Sequence, residues 1–279
     1  MPQDSLEYCN NESRRHDPDR WLAALFAPDA ARPGLLALYA FNLEIARTAE
    51  QVSEPMLGHI RLQWWRETWD GIRAGTPRQH PVAAALAAAN AAQWNAADVA
   101  ALIDAREADL ESAPPANLAA LLDYAGATTA PLLRLASQAL GLTPDPVLDE
   151  TLRLAGQAYG LIGILRAVPF HAAQGRVLLP ADMLGGEGLA WEAVIRQQLD
   201  PRSFTVMRQI GLEARRLLVM ARRRPVPRQT LPALLPLTLA ALHLRRLERA
   251  GFNPAAQGLE IAQPRKQLAL LWAAWRGRF

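Results

Sequence analysis

The amino-acid sequence predicts an all-α protein, and three observations support that fold class. Ala, Leu and Arg, which favour helices, dominate the composition, whereas β-branched residues are sparse. Apolar residues recur at spacings of three and four, and no segment has a convincing strand pattern. With 279 residues, 51% of them hydrophobic, the chain can bury one large core, so a single helical domain is expected.

The N-terminal half supplies the first helices of this domain. Residues 1–16 are polar and mixed in charge, so we expect a flexible tail before a domain over 17–279. Asp17 and the proline after it can cap a first helix. A longer helix follows Pro33 and has one inward face: Leu35, Leu38, Tyr39, Asn42, Ile45, Ala46, Ala49 and Val52. Helices are predicted over residues 20–26, 59–73, 81–94, 97–110 and 118–140.

The segment 163–180 is the centre of the predicted fold. A helix over 147–166 leads into this segment, which crosses Pro169 and reaches Gly175. We therefore expect the helix to run out into a loop, with its last turns facing a cavity. Downstream helices are predicted over residues 191–199, 203–223, 231–250 and 263–276.

The charge balance narrows the range of partners. The net charge is +3, and the basic residues are Arg except for Lys266. The planar guanidinium of arginine can bind phosphate or carboxylate through two hydrogen bonds, so phosphate ligands and anionic membrane surfaces both remain possible partners. No run of basic residues is interleaved with aromatic ones, which argues against nucleic acid as a partner.

The sequence also constrains the cellular location. Cys9 is the only cysteine, which excludes an intramolecular disulfide, and the polar start argues against a secretory signal. The apolar segment 229–244 is interrupted by Pro232 and Pro236 and is shorter than the ~18 to 20 residues that a bilayer span needs. We expect a soluble, cytoplasmic protein, with peripheral contact to the inner membrane as an open alternative.

Five ordered segments resemble the squalene/phytoene synthase family. They are residues 39–41 (Tyr-Ala-Phe), 61–66 (Arg-Leu-Gln-Trp-Trp-Arg), 124–126 (Tyr-Ala-Gly), 164–166 (Ile-Leu-Arg) with 175–180 (Gly-Arg-Val-Leu-Leu-Pro), and 231–233 with 248–252. The resemblance implies the isoprenoid synthase fold, a single helical domain around a central cavity. Two Asp-rich motifs would face each other across its mouth and hold Mg²⁺ against a diphosphate.

Both metal-binding motifs are degraded in this sequence. Ala46 and Arg47 stand where the family has two Asp residues, and only Glu50 keeps an acid in the first motif. Ala167 and His171 replace both acids of the second motif. We therefore expect no metal site, no cofactor and no intact catalytic set; Mg²⁺ would return only if acids such as Glu44, Glu54, Glu67 and Asp70 converged to replace the lost ones.

The way the motifs are lost is similar to the non-catalytic branch of the family typified by mitochondrial complex I assembly factor six. The segment 165–171, Leu-Arg-Ala-Val-Pro-Phe-His, carries most of that similarity. It implies an assembly or accessory factor with protein partners in a membrane respiratory complex. The alternatives are an active prenyltransferase that joins two prenyl diphosphates head to head, and a non-catalytic carrier of a prenyl lipid.

Four residues fall on family positions near the diphosphates: Tyr39, Arg66, Arg166 and Arg176. The three arginines either retain a phosphate site or form ion pairs with Glu44, Glu50 and Glu67. His171 is either a functional group or a buried, hydrogen-bonded side chain. We expect Trp65 and Trp69 in the core and Trp64 partly exposed, while residues 222–224 (Arg-Arg-Arg) are either a solvated helix end or a contact for anionic lipid.

Overall fold

Helices are the only regular secondary structure in the residues that the computed structural model describes, 2–196 and 200–279, which confirms the all-α prediction. The α-helices are α1 (Pro2–His16), α2 (Pro18–Ala24), α3 (Arg32–Ala46), α4 (Pro55–Arg73), α5 (Pro81–Ala88), α6 (Ala96–Asp104), α7 (Leu118–Ala139), α8 (Pro146–Ala173), α9 (Ala181–Gly186), α10 (Trp191–Arg196), α11 (Pro201–Arg222), α12 (Leu231–Leu234), α13 (Pro236–Arg249) and α14 (Gln263–Arg276). Short 3-10 helices cover Ala91–Gln93, Glu107–Leu110 and Arg228–Thr230. The predicted helix over 191–199 is observed as α10, and its last three residues lie outside the described part.

Residues 1–16 do not match the flexible tail that their composition suggests, because α1 covers Pro2–His16. Ser5, Cys9 and Ser13 lie four residues apart on one buried face, and the helix packs against α3 and α5. Asn10 accepts a hydrogen bond from the Trp21 indole at 2.9 Å. A narrow face of small side chains therefore holds a polar helix in place, and it produces almost no hydrophobic periodicity in the sequence.

Side-chain caps start several of the helices. Asp17 caps α2, as predicted, by accepting a hydrogen bond from the Arg20 amide at 3.2 Å. Asn95, Asn117, Asp145 and Asp200 cap the helices that follow them. At the other end of α7, Gly141 has the positive φ of 82° expected of a C-terminal glycine.

Two helices near the predicted motifs end elsewhere than expected. The inward face of α3 suggests a helix to Val52, but α3 ends at Ala46 and a series of turns follows. Pro169, conversely, does not end α8, which continues to Ala173. The stop signal is Gly175, whose φ of 72° allows the Arg176 amide to bond back to the His171 carbonyl at 2.9 Å.

The hydrophobic core consists of two clusters that share α7. One cluster is built mainly from α7, α8, α11 and α13, and the other from α1 and α3 to α6. Helix α8 lies against both α7 and α11. A Cβ atom added at Gly156 would lie 2.8 Å from the Ala130 backbone nitrogen, so glycine allows the α7 and α8 backbones to approach this closely.

A buried ion cluster joins the two ends of the chain. Asp19 of α2 is 6% exposed and accepts a hydrogen bond at 2.6 Å from Lys266 of α14. Arg166 of α8 and His243 of α13 lie 3.6 Å from its other oxygen, just beyond hydrogen-bonding distance. Burial alone would raise the pKa of Asp19, but these three neighbours outweigh it and hold that pKa well below its usual range.

No helix within residues 2–196 and 200–279 has the length and apolar character needed to cross a bilayer.

Candidate functional site

The segments that follow the two degraded motifs line one cleft. The turns after α3, the loop that follows the 3-10 helix Glu107–Leu110, and the end of α8 line a cavity of about 240 Å³. Ala49, Glu54 and Gln174 are among the residues on its wall. The structure therefore brings the segments after the first and second motifs together, as the resemblance implies.

The first-motif positions do not form a carboxylate face. Ala46 is the last residue of α3, and Arg47 caps it with its guanidinium Nε 4.0 Å from the Glu50 carboxylate. Glu50 is exposed in the turn beyond the helix. The only acid that the motif retains is therefore beside a positive charge and off the helix, where it cannot share a helix face with position 46.

The second-motif positions share a face of α8 with Gly163. Residues 163, 167 and 171 are four apart, and a Cβ atom added at Gly163 would meet no atom within 4 Å. This face of α8 therefore borders open space, but Ala167 and His171 present no carboxylate to it.

Each of the three arginines at diphosphate positions forms an ion pair with a carboxylate of the protein. Arg66 donates to Asp104 and Glu107, each at 2.6 Å. Arg176 donates to Asp109 at 3.0 Å, and Arg166 lies 3.6 Å from Asp19. The arginines therefore form ion pairs, as one sequence-based alternative predicted, but not with the predicted glutamates. Glu44 pairs instead with Arg61, and Glu67 pairs with Arg78.

Asp109 is the centre of a buried polar network that the sequence did not single out. This side chain is 6% exposed and accepts hydrogen bonds from the Tyr124 hydroxyl at 2.5 Å and from Arg176. Arg106 lies 3.3 Å from its second oxygen. Burial and the Asp109 charge raise the pKa of Tyr124. Arg106 and Asp109 are three residues apart in the sequence, a spacing that suits a local ion pair. That spacing was the one sequence feature that could have indicated this network.

Tyr39 lies inside the protein, away from this network. Its ring is 2% exposed and the Arg20 guanidinium is 5.9 Å from its centroid. The Tyr39 hydroxyl is buried and has no hydrogen-bond partner in the described structure. Burial raises the pKa of this hydroxyl, so Tyr39 is a neutral core residue at physiological pH.

Trp65 and Trp69 are in the core, with exposures of 1% and 5%, as predicted. Trp64 is partly exposed and packs edge-on against Trp65 with 5.0 Å between the ring centroids. The burial of all three tryptophans therefore agrees with the prediction.

His171 is held neutral by its surroundings. Its Nδ1 is buried and has no hydrogen-bond partner among residues 2–196 and 200–279. Burial, together with the positive charge of Arg176, lowers the pKa of His171 to about 4. The sequence left two alternatives for His171: a functional group, or a buried and hydrogen-bonded side chain. The structure shows a neutral imidazole whose Nδ1 is buried but not hydrogen-bonded, so it has features of both.

Replacing His171 with Gln should flatten the dependence of stability on pH between about 6.5 and 4. In the unfolded chain the imidazole takes up a proton as the pH falls through about 6.5, whereas in the folded protein it does not until about 4. Acid therefore favours the unfolded chain, by about 1 to 2 kcal/mol at a pH near 5.

Urea unfolding at pH 7 and at pH 5 measures this effect. The wild-type protein should lose more stability on acidification than His171→Gln does. The surface histidine variant His16→Gln is the control and should behave like the wild type; equal acid sensitivity of all three proteins would contradict the expected role of His171.

The motif positions do not fit Mg²⁺. The ion requires several oxygen ligands, and the four principal motif positions carry Ala46, Arg47, Ala167 and His171. Across residues 2–196 and 200–279, no group of three or more His, Cys, Asp or Glu side chains is arranged to hold a metal ion. The nearby Asp109 is committed to Tyr124 and two arginines.

The fold and the cleft together define an isoprenoid-synthase-fold protein with altered motif positions. Comparison with solved structures supports that class. A dehydrosqualene synthase matches with a TM-score of 0.81 and 16% identity, over 99% of this chain and 97% of the other. The squalene synthase HpnC from Alicyclobacillus acidocaldarius matches with a TM-score of 0.76 and 20% identity, over 91% and 96% of the two chains.

Sequence comparison identifies the family. The squalene/phytoene synthase family profile matches residues 13–271, and the chain belongs to that family. The curated protein named NADH dehydrogenase (ubiquinone) complex I, assembly factor 6 is 30% identical in Bos taurus, over 98% of this chain and 82% of that protein. The Homo sapiens protein of the same name is also 30% identical, over 96% and 81%.

Proposed function

We propose that this protein is a non-catalytic member of the squalene/phytoene synthase family that acts as an assembly factor for a membrane respiratory complex of the complex I type. One observation carries the non-catalytic part: Arg66, Arg166 and Arg176 are all engaged by carboxylates of the protein itself. A prenyl diphosphate would have to displace these carboxylates without Mg²⁺ to offset its charge.

The assembly role is supported by the relatives. Proteins named as complex I assembly factors match nearly the whole chain, from Bos taurus to Drosophila melanogaster, where the identity is 25% over 98% of this chain. Because these matches span nearly the whole chain, the proposal assigns this chain the role that those names state. Its partners would then be subunits or assembly intermediates of the respiratory complex.

Genetic complementation tests the assembly role. Deleting the gene in its own organism should reduce both the amount of assembled complex I on native gels and NADH:ubiquinone activity. A plasmid copy carrying Glu50→Gln, which removes the last first-motif acid, should restore both as well as the wild-type copy does. Normal complex I after deletion would refute the assembly role, whereas failure of Glu50→Gln alone would favour the enzyme.

Ligand titration separates the two alternative functions. We expect no binding of farnesyl thiodiphosphate by isothermal titration, with or without Mg²⁺, because the arginines already have carboxylate partners. Binding that requires Mg²⁺ would favour a prenyltransferase. Binding without the metal would favour a prenyl-lipid carrier, for which the open space beside Gly163 is the relevant feature.

A further inference from the structure

The C-terminal helix α14 exposes an apolar stripe to solvent. Leu268, Leu271, Trp272 and Trp275 are 67%, 55%, 58% and 72% exposed. These residues follow spacings of three and four, so they share one face of the helix. Lys266, Leu270 and Ala273 are buried on the opposite face. Helix α14 is therefore attached to the domain by one side and presents a second apolar side outward.

The charge around this stripe is positive. Helix α14 contains no Asp or Glu, and Arg265 and Arg276 are exposed on it. The Arg276 guanidinium lies 5.6 Å from the Trp272 ring centroid, and the two tryptophan rings are 5.1 Å apart. Aromatic side chains flanked by arginine are suited to the boundary between lipid headgroups and acyl chains.

A basic cavity lies beside the C-terminal end of α14. It has a volume of about 700 Å³ and is lined by Arg222, Arg223, Arg224, Pro225, Val226, Gly277, Arg278 and Phe279. The pKa of Arg222 is lowered mainly by burial and further by the positive charge of the neighbouring Arg245. Gly277, Arg278 and Phe279 follow α14 directly and line this cavity, so the basic cavity lies next to the end of the helix that carries Trp275.

We propose that α14 and this basic cavity form a docking surface for an anionic lipid bilayer. Helix α14 lies flat in the interface, its four exposed apolar side chains enter the headgroup boundary, and the arginines of the cavity contact lipid phosphates. An anionic bilayer matches the combination of an apolar stripe with positive charge on both sides. The basic segment 222–224 is thus one part of a larger surface that also includes α14. The inference does not depend on the proposed assembly role.

A second exposed apolar patch provides a matched control. Met56, Leu57 and Ile60 of α4 are 65%, 47% and 60% exposed. Unlike the α14 stripe, this patch has no net positive border, since Glu54 precedes the helix and Arg61 in the adjacent cavity is paired with Glu44. An anionic surface would not attract it, so it should not contribute to the same interaction.

Vesicle flotation with the full-length protein tests the proposal. The protein should bind vesicles of equal parts phosphatidylcholine and phosphatidylglycerol, bind pure phosphatidylcholine vesicles weakly, and dissociate at high salt. The double variant Trp272→Ser/Trp275→Ser should reduce partitioning about ten-fold or more. Arg276→Gln/Arg278→Gln should reduce it about five-fold for each arginine, whereas Met56→Ser/Ile60→Ser should leave it unchanged.

Circular dichroism and the melting temperature verify that the variants fold, which their exposed positions favour. Three results would overturn the proposal: no binding by the wild-type protein, equal binding to neutral vesicles, or an equal loss in the α4 control. A dimer in analytical ultracentrifugation that the tryptophan variant dissociates, without vesicle binding, would also overturn it and would assign the stripe to a second copy of the chain.

Discussion

Replacing Asp19 with Asn is expected to destabilise the protein by about 3 to 5 kcal/mol, because it removes one partner of a buried ion cluster and leaves Lys266 unpaired. Lys266 is 8% exposed and donates to Asp19 at 2.6 Å, so water cannot readily replace the lost carboxylate. The free energy of unfolding from urea titrations measures the effect.

Two variants distinguish the loss of this ion pair from a general effect of substitution. In the double variant Asp19→Asn/Lys266→Met the uncompensated charge is gone, and much of the stability should return. Asp200→Asn removes a half-buried carboxylate that binds Arg202 but keeps a side chain that can cap α11, so it should change the unfolding midpoint little. If Asp19→Asn were no less stable than Asp200→Asn, the cluster would not have the structural role given to it here.

The same cluster has a pH signature. Because the pKa of Asp19 is lower in the folded protein than its ordinary value of 3.8, its contribution to stability is present above that value. This contribution is lost as the pH falls from that value toward the lower folded pKa. Asp19→Asn should therefore show a smaller loss of stability in this acidic range than the wild type.

Replacing Gly156 with Val should destabilise the protein by about 3 kcal/mol, because the new side chain would meet the backbone of α7. A Cβ atom at this position lies 2.8 Å from the Ala130 nitrogen and 2.9 Å from its Cα. Backbone atoms cannot rotate away, so α7 and α8 must separate and their shared apolar contacts must loosen. Urea unfolding measures the loss.

Gly163 offers a control within the same helix. An added Cβ atom there meets nothing within 4 Å, so Gly163→Ala should gain about 0.5 to 1 kcal/mol from the higher helix propensity of alanine. Opposite signs for two glycines seven residues apart on α8 would establish that the helix contact, and not glycine itself, decides the outcome. Equal effects would contradict the close packing at Ala130.

The sequence predicted the helical class and most of the helices, because those features depend on local periodicity and caps. Helix α14 has the same bounds, Gln263–Arg276, as the segment predicted for it. The sequence did not predict α1, because Ser5, Cys9 and Ser13 form a buried face without large apolar residues. The end of α8 was also wrong, since a single Pro169 removes only one helical hydrogen bond.

The partners of the site arginines were not predictable for a different reason. Arg176 and Asp109 are 67 residues apart, and Arg66 and Asp104 are 38 apart. The spacing of residues within a helix identifies neighbours on that helix, whereas these pairs form between helices whose relative positions depend on the whole core. The exposed face of α14 is not predictable from the sequence, because its apolar residues have the same spacing as residues of a buried helix face.

The link between Asp19 and Lys266 also has a consequence for how the chain reaches its native state. Those residues are 247 positions apart, so this contact requires closure of nearly the entire polypeptide. During synthesis the N-terminal helices emerge first, yet the carboxylate of α2 receives its lysine only after α14 has left the ribosome. Docking of α14 is thus a late folding step, and a nascent chain stalled before residue 266 carries an Asp19 that lacks this partner.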